Sequence, residues 1–386
     1  MNSRIPGFHK HRLAERRALL SETVELSEET RSFLRNEIAV TDCELDRMSE
    51  NVVGRASLPL SVGLNFRING ADVLIPMAVE EPSIVAAASH AAKLVRDAGG
   101  FEAAADPNVM TAQVQLDDVP RIHEARQRVL DRRNELIQRA NEAIPRMVER
   151  GGGCVDVEPR VLDERTFVLH LHVDVGDAMG ANLVDTVAEA VAPALQALIG
   201  GRMGLRILSN LPLRRKVRVT GRVPLRTLGP ELVDGIARAS RFAELDVFRA
   251  VTHNKGILNA VDAVAVAMGQ DWRSIEAGAH AFASMNGAYR PLAVWRSVDD
   301  ALVGTLEMPM AVGTVGGSTR AHAAVRAAFD IMKPGNAQDL GMAMGAAGLA
   351  CNLAALRALT SEGIQKGHMR LHHRKIEGGE PKGDRA

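Results

Sequence analysis

Polar side chains that could do chemistry crowd one largely apolar stretch of this sequence. Residues 248–272 read FRAVTHNKGILNAVDAVAVAMGQDW and carry Arg249, His253, Asn254, Lys255, Asn259 and Asp271. Asn254 and Gly256 bracket Lys255, which predicts a turn at the mouth of a helix. From Ile257 to Met268 the run is too apolar for a solvent-facing helix, so it predicts a buried one. Lys255 and Asp271 then stand at the two ends of a buried element, where charge is costly unless used or paired. Two readings stay open on this stretch: caps on a core helix, or one wall of a site.

Other chemistry-bearing residues lie far away in the chain. Glu80-Glu81-Pro82-Ser83 follows a strand pattern and opens the helical run IVAAASHAAKLVRDAGG. Pro82 suits the first turn, and an acid there meets the positive end of the helix dipole. Capping accounts for one of the two glutamates and leaves the other free for chemistry. At Asp177-Ala178-Met179-Gly180-Ala181-Asn182 a strand passes directly into a helix through small residues. Backbone NH groups there could approach a phosphate, although on these residues alone a plain turn and N-cap is the favoured reading. The Gly-rich run 306–319 joins a strand to another helix and could wrap a ligand or permit close backbone packing.

The elements that must hold these residues show three patterns. Residues 1–50 are polar and helical, and residues 51–79 alternate with period two around Asn69-Gly70, a hairpin signal. From about Thr111 to Asn210 the order is strand, long helix, two strands, helix, strand, a ferredoxin-like βαββαβ unit of about a hundred residues. Residues 340–356, LGMAMGAAGLACNLAAL, are uncharged but short of the roughly 20 residues a membrane span needs. They read as a helix buried on all sides in a cytoplasmic protein. The fold class is α+β, with a large domain in two parts (1–109 and 211–360), the small unit inserted at 110–210, and a tail at 361–386.

Composition narrows the partners. Lys plus Arg and Asp plus Glu number 47 each, so bulk charge favours neither nucleic acid nor a membrane surface. Cys43, Cys154 and Cys351 are widely separated, lack metal-ligand spacing and suit a reducing compartment; no metal is expected. No GxGxxG follows a strand, which argues against an ordinary Rossmann domain.

Seven segments in order then carry a specific resemblance: ENVVGRASLPL (50–60), EEPSIVAAAS (80–89), DAMGAN (177–182), THNKGILN (252–259), GQDWR (269–273), GTLEMPM with VGG (304–317) and EGIQKGHM (362–369). The chain resembles 3-hydroxy-3-methylglutaryl-coenzyme A reductase of the soluble bacterial class II, from about residue 5 to residue 374. The resemblance implies interconversion of hydroxymethylglutaryl-CoA with mevalonate plus CoA, using two molecules of NAD(H) or NADP(H). It implies a large domain around a central apolar helix, an inserted dinucleotide-binding domain and a homodimer with shared active sites. By motif match, Glu81, Lys255, Asp271 and His368 are the catalytic residues. Ser83, Arg249, Asn259 and Asn210 match substrate-binding positions, and Asp177, Met179, Gly180 and Asn182 would lie against the cofactor. In this reading Lys255 stabilises the developing oxyanion, Asp271 holds Lys255, buried Glu81 donates a proton and His368 protonates the departing CoA thiolate.

Two departures from the family pattern bear on function. An acid that excludes the 2′-phosphate in NAD-using relatives is replaced by Ile144, with Glu142 two residues earlier, so NADPH is not excluded. The chain also stops at Ala386, where relatives continue as a mobile flap. The alternative that follows is a catalytically impaired CoA- or nucleotide-binding homologue.

Overall fold

The computed structural model describes residues 1–37, 40–316 and 322–361. Three N-terminal helices, α1 (Leu13–Thr23), α2 (Glu28–Leu34) and α3 (Asp42–Met48), precede a hairpin of β1 (Leu60–Ile68) and β2 (Ala71–Ala78). Its two-residue loop is Asn69-Gly70, with φ of 49° and 81°, so both residues take the left-handed conformation that a tight hairpin demands. Helix α4 (Ile84–Arg96) follows, then β3 (Phe101–Ala105). The predicted helix start at Pro82 moves to Ile84, with Ser83 as N-cap.

The next unit is β4 (Val109–Asp117), α5 (Ile122–Asp131), α6 (Arg133–Glu142), α7 (Pro145–Val148), β5 (Gly153–Val161), β6 (Phe167–Asp174), α8 (Ala181–Ile199) and β7 (Arg202–Leu208). Its strands pair antiparallel in the order β5-β6-β4-β7, the ferredoxin-like arrangement. The single long helix expected between β4 and β5 is three helices. Pro145, at the first position of α7, explains the second break, because its ring and missing NH bar continuation from α6. The break at Arg132 has no local explanation.

The remainder runs β8 (Lys216–Pro224), α9 (Leu225–Leu228), α10 (Pro230–Leu245), α11 (Val247–Ala267), α12 (Trp272–Ser284), β9 (Ala293–Val298), β10 (Ala301–Pro309), α13 (Ala323–Met332) and α14 (Ala337–Thr360). A six-stranded sheet in the order β2-β1-β3-β8-β10-β9 combines both parts of this larger region. Helix α14 is long and apolar enough to cross a membrane by length and composition, but 67% of its apolar window is buried against protein. Gly348 on α14 explains how closely α11 packs. A Cβ there would stand 3.0 Å from Cγ2 of both Ile257 and Val261.

Three polar side chains meet in this core, with His253 Nδ1 left without a partner among the described residues. Asn352 of α14 accepts from Trp295 Nε1 at 2.9 Å, and its amide nitrogen lies 3.1 Å from His253 Nε2. The same ring nitrogen is 2.9 Å from the Ala293 carbonyl oxygen, and burial lowers the His253 pKa to about 4, so the ring is neutral.

Candidate active site

Helix α11 runs straight through the stretch expected to turn at Lys255. Asp246 starts it by accepting from the Arg249 backbone NH at 2.8 Å. Asn254, a turn-former by local preference, is instead buried. Its side chain donates to the Arg290 carbonyl at 2.9 Å and accepts from the Leu292 NH at 2.8 Å. Those two tertiary bonds override the turn preference, while the next residue, Lys255, faces solvent.

From there Lys255 reaches across to the β2–α4 turn. Its Nζ lies 3.3 Å from Glu81 Oε2, with side-chain exposures of 62% and 39%. Glu81 is therefore half-open rather than enclosed by apolar walls. Behind the pair, Cys351 of α14 is buried, and burial, then the nearby Glu81 charge, push its thiol up to about 12. Such a thiol is inert packing.

Ser83 lies two residues beyond Glu81 at φ 84°, ψ −28°. A left-handed backbone at a non-glycine residue costs on the order of 1–2 kcal/mol, a strain of the kind that collects at functional sites. On α11, Asn259 follows Lys255 by one helical turn and shares its side. Arg249 is half-buried, and desolvation lowers its pKa; its guanidinium forms no ion pair with a described residue.

Asp271 sits elsewhere than expected. It is the N-cap of α12, accepting from the Ser274 NH at 3.1 Å. Among the described residues no hydrogen bond or ion pair joins it to Lys255, whose cation pairs with Glu81 instead. Ser274 Oγ donates to Asn210 Oδ1 at 2.9 Å, so Asp271 and Asn210 are tied through one serine. The next-door Gln270 accepts from the Gly313 NH at 2.8 Å.

That bond leads to the small unit. A Cβ at Gly313 would come within 2.5 Å of Met179 N, so only glycine lets the Gly-rich run approach the 177–182 segment. Asp177 accepts from the Thr314 NH through its carbonyl and from the Ala337 NH through Oδ1, both at 2.8 Å. Gly180, at φ 98°, is the N-cap of α8, and Asn182 lies in the first turn of that helix. Buried Arg215 braces the junction by donating to the carbonyls of Met179 at 3.1 Å, Ala178 at 3.2 Å and Val312. Burial draws its pKa down to about 10, so it remains a cation at neutral pH.

Beside this junction an open cavity of about 300 Å³ is lined by Arg150, Gly151, Gly152, Asp174, Gly176 and Asp177, among others. A wider one of about 630 Å³, among Asp117, Asp163, Arg165 and Arg202, contains none of the residues singled out by sequence. Arg150, Arg215, Gln270 and Ser274 escaped sequence reading. Arg215 has no local signal, because its partners lie 36, 37 and 97 positions away. Gln270 lies within the GQDWR segment and Ser274 directly follows it, so both were within reach. His368 lies outside the described residues.

The fold and these contacts define an α+β protein with a lysine–glutamate pair on its larger region and a loop junction onto a ferredoxin-like unit. The sequence model for hydroxymethylglutaryl-coenzyme A reductase matches residues 12–373. A 3-hydroxy-3-methylglutaryl-coenzyme A reductase of Archaeoglobus fulgidus is 45% identical over 382 residues, covering 97% of this chain and 87% of that protein. A probable reductase of Borreliella burgdorferi is 34% identical over 377 residues, covering 96% and 86%. The class II reductase of Streptococcus pneumoniae, in a structure bound to NADPH in open conformations, superposes with a TM-score of 0.89 at 40% identity, covering 92% of this chain and 99% of that one.

The chain belongs to the 3-hydroxy-3-methylglutaryl-coenzyme A reductase family, in its class II form. It is accordingly an oxidoreductase whose substrates are hydroxymethylglutaryl-CoA, CoA and mevalonate with a nicotinamide cofactor. Nothing in these comparisons favours the impaired alternative.

Proposed function

We propose that the Glu81–Lys255 pair is the reacting centre of this reductase and that NADPH is its cofactor. The observation that carries this reading is their 3.3 Å contact between positions 174 apart in the sequence, next to the left-handed Ser83. When bound, the nicotinamide supplies hydride; the protein's part is to position and to stabilise charge. Lys255 offers its cation to the substrate oxygen that gains charge at each reduction. Glu81, within reach of that ammonium and open to solvent, takes up a proton there and delivers it to the same oxygen. Arg249 and Asn259, on the same helix, and Ser83 bind the hydroxymethylglutaryl group, with Asn210 held in place through Ser274. Asp271 belongs to the wall facing the cofactor, beside Gln270, and is proposed to act with Lys255 in the substrate complex. His368 protonates the departing thiolate.

The residues around the 300 Å³ cavity, Asp174 and Asp177 apart, suit an anionic dinucleotide. Arg150 brings a cation, and the 176–180 loop of small residues leads into the N-terminus of the 19-residue helix α8. Ile144 is buried in the small core, so no carboxylate stands there to repel a 2′-phosphate. The NADPH-bound structure of the pneumococcal relative supports the same preference. Separate buried clusters support a division at about 110 and 210 into a cofactor domain and a larger substrate domain.

A homodimer completes this reading. Phe242, Leu245, Val247, Phe248 and Val251 leave large apolar side chains exposed around the α10–α11 junction, Phe248 by 82%. An apolar group of this kind beside the site suits a second copy. The cytoplasm is the proposed location. Glu81→Gln and Lys255→Ala should each remove reduction of hydroxymethylglutaryl-CoA while NADPH still binds, as read by its fluorescence; full turnover by either variant would refute the assignment.

A further inference from the structure

The small sheet brings a glutamate on one strand beside two histidines on the next. His170 and His172 lie two apart on β6, so both rings project from the same face. Glu158 on β5 is the register partner of His170. One ligand atom from each of the three lies within 4.8 Å of the others, and His172 Nε2 is already 3.3 Å from Glu158 Oε2. We propose that Glu158, His170 and His172 bind a divalent transition-metal ion of the zinc type.

The donor set is two imidazoles and a carboxylate, which zinc accepts while keeping a fourth position for water. Tetrahedral coordination at about 2.0–2.1 Å places ligand atoms roughly 3.3 Å apart. The His172–Glu158 pair meets that spacing, and His170 needs a shift of about an ångström or more. The second ring nitrogen of His172, Nδ1, is 3.0 Å from Thr111 Oγ1 on the neighbouring β4, a contact that orients the ring as metal-binding histidines require.

Charged neighbours set the competition. Arg160 Nη1 lies 3.1 Å and Gln113 Nε2 2.9 Å from His170 Nε2, so both compete for that nitrogen. Arg160 is exposed and can swing into solvent at small cost. Asp156, opposite His172, is engaged by Arg133 at 2.8 Å and Arg214 at 2.9 Å and is not a ligand. The proposal therefore predicts that Arg160 weakens the site rather than building it.

The test uses the full chain stripped of metal. Zinc is titrated against a chromophoric chelator, and cobalt is added in parallel to read ligand geometry from its visible absorption. The wild type should bind one zinc at this site and show an intense four-coordinate cobalt spectrum. His170→Ala and Glu158→Gln should each lose that equivalent and the spectrum while keeping the far-ultraviolet circular dichroism of the wild type. Arg160→Ala should tighten binding. A wild type that takes up no zinc at micromolar concentration would overturn the proposal. So would equal uptake by all four proteins, which would place the ion elsewhere, at His368, His372 and His373 for example.

Discussion

Lys255 meets the solvent with 62% of its side chain exposed and Glu81 as its ion-pair partner. A surface pair of this kind contributes little to stability, so its removal separates chemistry from folding. Lys255→Ala should lower kcat roughly 100- to 1000-fold, the loss of about 3–4 kcal/mol expected when an oxyanion donor is removed, with an unchanged melting temperature. Steady-state kinetics beside calorimetry checks both halves. Ser83 makes the opposite separation. Ser83→Gly relieves a left-handed backbone and should hold or raise stability by about 1 kcal/mol, while raising the KM for hydroxymethylglutaryl-CoA. The residue types at this centre were legible in the sequence, because an unexplained second acid and a lysine in an apolar stretch are each costly. Their pairing was not. The expected partner of Lys255 is Asp271, whereas in this structure Lys255 pairs with Glu81 and Asp271 caps α12 through Oδ1.

Among the elements, α11 and α14 carry the site, and α11 holds a second carboxyl of interest. Asp262 is pushed up to about 8 by burial first and then by Glu276 on α12, whose side chain it hydrogen-bonds. In the folded protein it holds a proton that the unfolded chain releases near pH 3.9. Below that pH both states are protonated and its stabilising effect is fully present. As pH rises from about 4 to about 8 the native state binds the extra proton, so stability falls through that window. Asp262→Asn should flatten the fall, measured as the difference in urea midpoint between variant and wild type from pH 5 to pH 8.5. An unchanged slope would show that other groups set it. Close packing of the same helices gives a second prediction: Gly348→Val should cost about 1–3 kcal/mol, because its Cβ meets Ile257 and Val261 at 3.0 Å. Element types were legible where the signal is local, as at Asn69-Gly70, although Pro145, an equally local signal, was read through as part of one long helix. They were misread where partners are remote. Asn254 resembles a turn residue until its bonds to Arg290 and Leu292, 36 and 38 positions away, are known.

At the scale of the whole molecule, one face joins two differently folded units, and the glycine-rich run, Arg215 and Gln270 form the junction. The ferredoxin-like order was legible because six elements alternate in period over a hundred residues. The brace was not, since a buried arginine bonded to three carbonyls has no local pattern. The exposed apolar side chains at α10–α11 predict that Phe248→Glu weakens a dimer and lowers activity at least about tenfold with it, as light scattering and activity against protein concentration would show. The central claim is that this chain reduces hydroxymethylglutaryl-CoA at the Glu81–Lys255 centre. The most direct measurement follows NADPH oxidation and free CoA thiol together in purified wild type and Lys255→Ala. The account predicts two NADPH consumed per thiol released by the wild type and almost none by the variant. No turnover by the wild type in either direction, with NADPH, NADH or their oxidised forms, would contradict it.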